Sequence, residues 1–83
     1  MWFVYLLECV DNTLYCGITN NLEKRIQKHN SKKGAKYTSS RTPVSLYYFE
    51  ECSDKSSALK REAQIKKLSR TEKIFLKQKD SLS

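Results

Sequence analysis

The stretch Trp2-Phe3-Val4-Tyr5-Leu6-Leu7-Glu8-Cys9-Val10-Asp11-Asn12-Thr13-Leu14-Tyr15-Cys16-Gly17-Ile18-Thr19 decides the fold. Residues 2–10 are aromatic, β-branched or apolar almost throughout, with no breaker, and read as a strand. Asp11-Asn12-Thr13 is a turn signal, and residues 14–19 read as a second strand. The two strands form a hairpin, and its loop length sets which side chains share a face. A two-residue turn at Asp11-Asn12 places Tyr5 and Tyr15 on opposite faces. A three-residue loop at Asp11-Asn12-Thr13 pairs Cys9 with Tyr15, Leu7 with Gly17 and Tyr5 with Thr19, and puts both tyrosines on one face. Gly17 then lies between them and leaves space there. A glycine inside a strand marks a bulge or a close approach to the backbone.

Outward from the hairpin, Asn20 or Asn21 caps a helix with Glu23 in its first turn. Leu22, Ile26 and His29 fall on one side of that helix at i, i+4 and i+7, with Arg25 beside His29 at i+4. Ser31-Lys32-Lys33-Gly34 ends it. Residues 35–42 are polar and basic and suit a short helix or an ordered loop. Pro43 separates them from a third strand over 44–50. Ser53 or Asp54 caps a helix of about 14 residues, with Ala58, Leu59, Ile65 and Leu68 as its apolar stripe and Glu62 on the same stripe. Ser69-Arg70-Thr71-Glu72 matches a capping box and opens a last helix whose apolar contacts are Ile74, Phe75 and Leu82. The expected architecture is α+β: a small antiparallel three-stranded sheet flanked by helices, in the order β-β-α-(α)-β-α-α, as one domain over residues 1–83.

Composition narrows the function. The 83 residues carry 16 Lys plus Arg against 9 Asp plus Glu, a formal charge of +7, which favours a polyanionic partner. No apolar run approaches the roughly 20 residues that span a bilayer. The opening apolar run lacks the basic flank of a signal peptide, so the expected location is the cytoplasm. Cys9, Cys16 and Cys52 cannot all pair, and no Cys/His cluster has zinc-ligand spacing, so they read as buried thiols in a reducing compartment.

Val4-Tyr5-Leu6, followed ten residues on by Tyr15-Cys16-Gly17, resembles the two-part signature of the GIY-YIG nuclease superfamily. The first glycine and isoleucine positions hold Val4 and Leu6 instead; the tyrosines and second glycine are kept. The resemblance continues through Gly17-Ile18-Thr19-Asn20-Asn21-Leu22-Glu23-Lys24-Arg25, His29-Asn30, Gly34-Ala35-Lys36-Tyr37-Thr38 and Arg41-Thr42-Pro43. It ends with Ala58-Leu59-Lys60-Arg61-Glu62 and Ile65-Lys66-Lys67-Leu68, and so covers nearly the whole chain. The chain is most similar to the small stand-alone bacterial branch.

This resemblance implies a GIY-YIG fold and cleavage of nucleic-acid phosphodiesters with one divalent metal. Glu62 is then the ligand for Mg²⁺ or Mn²⁺. Arg25 is the clamp on the scissile phosphate, because guanidinium offers planar paired donors. Tyr5 or Tyr15 deprotonates the attacking water; Tyr5 is slightly favoured, and Arg25 is expected to lower its pKa. His29 serves as proton carrier or phosphate ligand, or simply packs. Gly17, Lys32, Lys33, Lys36, Tyr37, Thr38, Arg41 and Lys66 are the candidate nucleic-acid contacts, with Lys60, Arg61 and Lys67 extending the footprint. No base-reading module is visible, so recognition is expected by shape. The resemblance implies DNA as the partner, with branched, nicked or flapped forms as candidates, RNA as the alternative and a protein partner as one source of specificity. The alternatives are a non-catalytic nucleic-acid-binding module and a subunit active only with a partner.

Overall fold

A computed structural model describes residues 1–34 and 36–82, the side chains of 78–82 aside. The elements are β1 (Trp2–Glu8), β2 (Leu14–Thr19), α1 (Leu22–Asn30), α2 (Lys36–Ser39), β3 (Ser45–Cys52), α3 (Lys55–Lys66) and α4 (Arg70–Leu82). The sheet is antiparallel with strand order β2-β1-β3. β1 takes the centre because it is apolar on both faces. Val4 and Leu6 point one way, Tyr5 and Leu7 the other, and all four are buried.

Each face of β1 has its own core. Val4, Leu6 and Cys16 pack against Ala58 and Ile65 of α3, with Leu68 and Leu76 completing the cluster. On the opposite face Tyr5, Leu7, Cys9 and Val44 pack with Tyr15 and with Leu22 and Ile26 of α1. The sheet therefore separates α1 from α3, and β2 is an edge strand lying between them.

The hairpin keeps the parity that unites the tyrosines, but its loop starts one residue earlier than expected. Tyr5 pairs with Gly17, Leu7 with Tyr15 and Glu8 with Leu14. The backbone N–H of Asn12 donates to Cys9 O at 2.9 Å, and that of Cys9 to Thr13 O at 2.9 Å. Asn12 occupies the left-handed region at φ 68°. Asn tolerates this conformation well, so Val10-Asp11-Asn12 forms a tight turn followed by a left-handed residue. Thr13 N–H donates to Asp11 Oδ1 at 3.2 Å and supports it.

The helix ends follow the sequence closely. Asn21 caps α1 by accepting from Lys24 N, and Asp54 caps α3 by accepting from Ser57 N. Ser69 and Glu72 exchange the reciprocal bonds of a capping box at the start of α4. At the end of α1 the left-handed residue is Lys32, at φ 66°, not Gly34. Leu59, expected on the buried stripe of α3, is 46% exposed. Ala58 and Ile65 define the buried line, and Leu59 is rotated about 100° from Ala58 around the axis. The expected contact of Leu82 lies outside the described side chains.

α3 is oriented by a charged clamp. Arg61 Nε donates to Glu50 Oε1 at 2.8 Å and Nη2 to Oε2 at 2.9 Å, while Tyr48 O–H donates to the same carboxylate at 2.6 Å. The Arg61 guanidinium holds the Glu50 carboxyl below its usual range. This paired fork fixes the rotation of α3 over β3.

Ile65 is fully buried between α3 and the sheet. Ile65→Ala should destabilise the protein by about 2–5 kcal/mol, read from urea unfolding. A loss below about 1 kcal/mol would contradict this packing.

Candidate active site

The α1 face of the sheet holds a hydrogen-bonded cluster built around Tyr5. β1 places the Tyr5 ring under α1, where the residue is 1% exposed. Its hydroxyl lies 3.1 Å from His29 Nε2 and accepts from Arg25 Nε at 3.2 Å. The other ring nitrogen of His29 is 2.6 Å from Thr38 Oγ1. Arg25 and His29 are one helical turn apart on α1, so both reach the same hydroxyl. Tyr15 faces the same cluster, with its ring centroid 5.3 Å from His29 and 6.4 Å from Tyr5. Tyr37 stacks on Tyr15 at 5.8 Å, and the Arg41 guanidinium lies 4.2 Å above the Tyr37 ring.

Gly17 and Gly34 are both shaped by this cluster. A Cβ on Gly17 would stand 2.5 Å from the Tyr5 hydroxyl and 2.8 Å from its Cζ. A Cβ on Gly34 would collide with His29 Nδ1. Neither glycine has a positive φ, so each is required for space, not for conformation. Gly17 is thus filled by Tyr5 and is not a surface contact.

Burial sets the electrostatics here. Desolvation raises the Tyr5 pKa, and the hydrogen bond and charge of Arg25 only partly oppose it. Arg25 does act to lower it, as expected, but loss of hydration outweighs the neighbouring cation and the net shift is upward. Burial, followed by the fields of Arg25 and Lys28, pushes His29 down to about 4. His29 is neutral at pH 7, and its tautomer decides the polarity of the chain. With the proton on Nδ1, His29 donates to Thr38 and accepts from Tyr5. With the proton on Nε2, Tyr5 receives two donors.

The other expected residues divide clearly. Thr38 is fully buried against His29, and so is a support for the imidazole instead of a phosphate contact. Arg41 is committed within the fold: Nε pairs with Asp11 Oδ2 at 3.0 Å and Nη1 donates to Tyr37 O at 2.8 Å. Lys32, Lys33 and Lys36 are exposed beyond the end of α1, and Tyr37 is 40% exposed. Glu62 lies on α3, beyond the sheet from the tyrosines. Its side chain is 18% exposed and pairs with Lys66 Nζ at 3.4 Å. Burial pushes the Cys16 thiol up to about 11, with the charge of Glu62 adding to the shift, and the helix that carries Glu62 packs on the face of the sheet opposite the tyrosines. The structure brings Tyr5, Tyr15, Arg25 and His29 together. Glu62 approaches the same edge strand from its other side.

Sequence reasoning missed Asn30. Its side chain accepts from Val44 N at 2.6 Å and donates to Val44 O at 3.1 Å. It ties the end of α1, and so His29, to the segment entering β3. An amide beside the histidine was the available signal.

The chain matches the family model described as the GIY-YIG catalytic domain over residues 1–75. It is 61% identical over 75 residues to a UPF0213 protein of Syntrophus aciditrophicus, covering 89% of this chain and 86% of that relative. Two solution NMR structures are similar. A UPF0213 protein from Bacillus halodurans has 43% identity and a TM-score of 0.57, with 92% of this chain and 82% of that one covered. A protein from E. faecalis has 37% identity and a TM-score of 0.66, with 98% and 86% covered.

Two predictions follow from the cluster's burial. The folded pKa of His29, about 4, lies below its usual 6.5, so the unfolded chain binds the extra proton first. Stability from this site is complete above about pH 6.5 and is lost as pH falls towards 4, by about 3 kcal/mol in all. His29→Gln should flatten the unfolding free energy across that window; curves parallel to wild type would refute the assignment. Gly17→Ala should push the Tyr5 ring from its seat and cost about 1–3 kcal/mol, with the His29 imidazole resonances displaced in NMR spectra.

Proposed function

The chain belongs to the GIY-YIG catalytic-domain family, and from that membership we propose that it is a divalent-metal-dependent endonuclease hydrolysing DNA phosphodiester bonds. The target is chosen by DNA shape, not by base sequence. The observation that carries this reading is the bond from Arg25 Nε to the Tyr5 hydroxyl. It anchors the guanidinium through Nε, a hydrogen bond with Tyr15 engages a second donor, and the remaining N–H groups can take a phosphate. A phosphate held there sits beside the tyrosines that handle the water.

Hydrolysis at phosphorus needs an activated water and stabilisation of charge on the phosphoryl oxygens. Arg25 supplies that stabilisation through its Nη groups. Tyr5 is the base, working with His29 as one unit. In the Nδ1–H tautomer the Tyr5 oxygen takes a proton from water while its own hydroxyl proton passes to His29 Nε2. Thr38 holds the imidazole in place through its contact with Nδ1. Tyr15 walls the site and positions the water.

Glu62 fits a magnesium or manganese ion. It offers an oxygen donor, and its described ionic partner is the exposed Lys66. Such ions bind through one or two carboxylates, with water and substrate phosphates completing the shell. No group of three or more His, Cys, Asp or Glu is assembled among the described residues, so the donors do not suit a closed zinc centre. When bound, the metal polarises a phosphoryl oxygen and makes its water more acidic. Arg25 on α1 and Glu62 on α3 lie on opposite faces of the sheet, so a phosphate shared by both would have to sit at the free edge of β2.

The lysine-rich surface suits recognition by shape, because lysines grip phosphates without reading sequence. No helix among the described residues is long and apolar enough to cross a membrane.

The test is cleavage of labelled single-stranded, duplex, nicked, flap and junction DNA, with matching RNA, in Mg²⁺ and in Mn²⁺. Glu62→Ala and Arg25→Ala should each reduce cleavage by about 100-fold or more, with folding intact and DNA still bound. Binding without cleavage on every substrate would make the chain a non-catalytic nucleic-acid-binding module. Cleavage that survives Glu62→Ala would remove that residue from the metal site.

A further inference from the structure

Two depressions lie at opposite ends of β2. One, of about 170 Å³, is lined by Thr19, Asn20, Asn21, Lys24, Arg25 and Lys28. The other, of about 210 Å³, is lined by Thr13, Leu14, Tyr37, Arg70 and Lys73. Thr19 ends β2 and Leu14 begins it, so the strand itself joins the two. Tyr15 and Gly17 of the tyrosine cluster lie along the way.

Among the described residues, both depressions are lined by cations and by no carboxylate. The acidic side chains nearest in sequence to the second depression are already engaged. Asp11 accepts from Thr13 and pairs with Arg41. Glu72 turns back to accept from Ser69 N at 3.0 Å. Among the described residues, Arg70 and Lys73 have no carboxylate partner. They are three apart on α4, so both can face one ligand. Tyr37 adds a hydroxyl from α2, so the second depression draws on three separate elements.

The spacing suits a polyanion. Five intervals of about 3.4 Å make β2 about 17 Å long. One strand of stacked nucleic acid carries a phosphate every 3.4 Å or so along its axis, so about five phosphates fit that length.

We propose that Arg70, Lys73 and the Tyr37 hydroxyl form a second phosphate-binding site. It holds a single nucleic-acid strand that runs lengthwise along β2, about five nucleotides from the phosphates held by Lys24, Arg25 and Lys28. The site rests on the nuclease reading, which it extends by giving the substrate strand a path from the reacting phosphate, held at Arg25, to a second anchor. Its cations come from the capping-box turn of the last helix, a segment that the sequence marks only as a helix start.

The test measures binding apart from cleavage. A fluorescent single-stranded DNA 12-mer is titrated by anisotropy in EDTA, at a series of salt concentrations, with wild type, Arg70→Ala/Lys73→Ala and Lys55→Ala/Lys77→Ala. The last variant removes equal charge from lysines that sit over Trp2 and Tyr47, away from β2. Circular dichroism confirms that each variant is folded. The slope of log K against log salt should fall by about 1.4 in Arg70→Ala/Lys73→Ala, two contacts at about 0.7 each. The control should keep the wild-type slope. A DNA tetramer, too short to span β2, should show no such fall. Equal slopes for the two double variants, or no binding by wild type, would overturn the proposal. If the slope falls as expected but wild type cleaves no DNA, the second site stands and the nuclease reading fails. If wild type cleaves but the slopes are equal, the nuclease reading stands and the second site fails.

Discussion

The contact between the Tyr5 hydroxyl and His29 Nε2, at 3.1 Å, is the constraint on which this molecule depends. It crosses from the central strand to the last turn of α1, between two residues that are almost wholly buried. A polar pair inside a core this small is tolerable only if its remaining bonds are made. Arg25 serves the hydroxyl and Thr38 serves the far ring nitrogen. No buried side-chain polar atom among the described residues is left without a partner. The chain contains only two glycines, and each leaves room for one member of the pair. The close approach of β2 to Tyr5, and of the α1–α2 connection to His29, both follow from this one contact.

The sheet gives the candidate site its two-sided form. β1 is apolar on both faces and must be covered on both, so α1 and α3 have to lie on opposite sides. The residues proposed to anchor a phosphate come from α1, and the carboxylate proposed as the metal ligand comes from α3. They can serve a common ligand only around the edge strand. This makes the orientation of α3 a functional matter. The fork from Arg61 to Glu50, steadied by Tyr48, sets the direction in which Glu62 leaves the helix one residue later.

The elements of the fold were legible because their signals are local. Asn21, Asp54 and the Ser69–Glu72 box place the helix starts. The common face of the tyrosines was also legible, since it depends only on parity: the observed pairing moves Tyr5 from Thr19 to Gly17, two residues, and leaves every side chain on its face. The properties that depend on depth were not legible. The burial of Thr38 comes from the α1–α2 connection folding back over His29. The upward shift of Tyr5 comes mainly from the hydration lost on burial. Sequence spacing shows that a cation is near a phenol, but it does not show how much water the phenol has lost.

That loss of water bears on how such a site can work. Burial disfavours the phenolate at Tyr5 and the imidazolium at His29 alike. Neither group alone is a ready base at neutral pH, and the resting cluster is a neutral, rigid scaffold beside one fixed guanidinium. The fields of Arg25 and Lys28 help to hold His29 neutral. A phosphate bound between those two side chains opposes both fields with its own negative charge, and so makes a proton on His29 less costly. The resistance to protonation is then greatest when no substrate is present and weakest when the reacting phosphate is in place. In the proposed reaction, the cations that would hold the strand thereby couple its arrival to the readiness of the Tyr5–His29 pair to accept a proton.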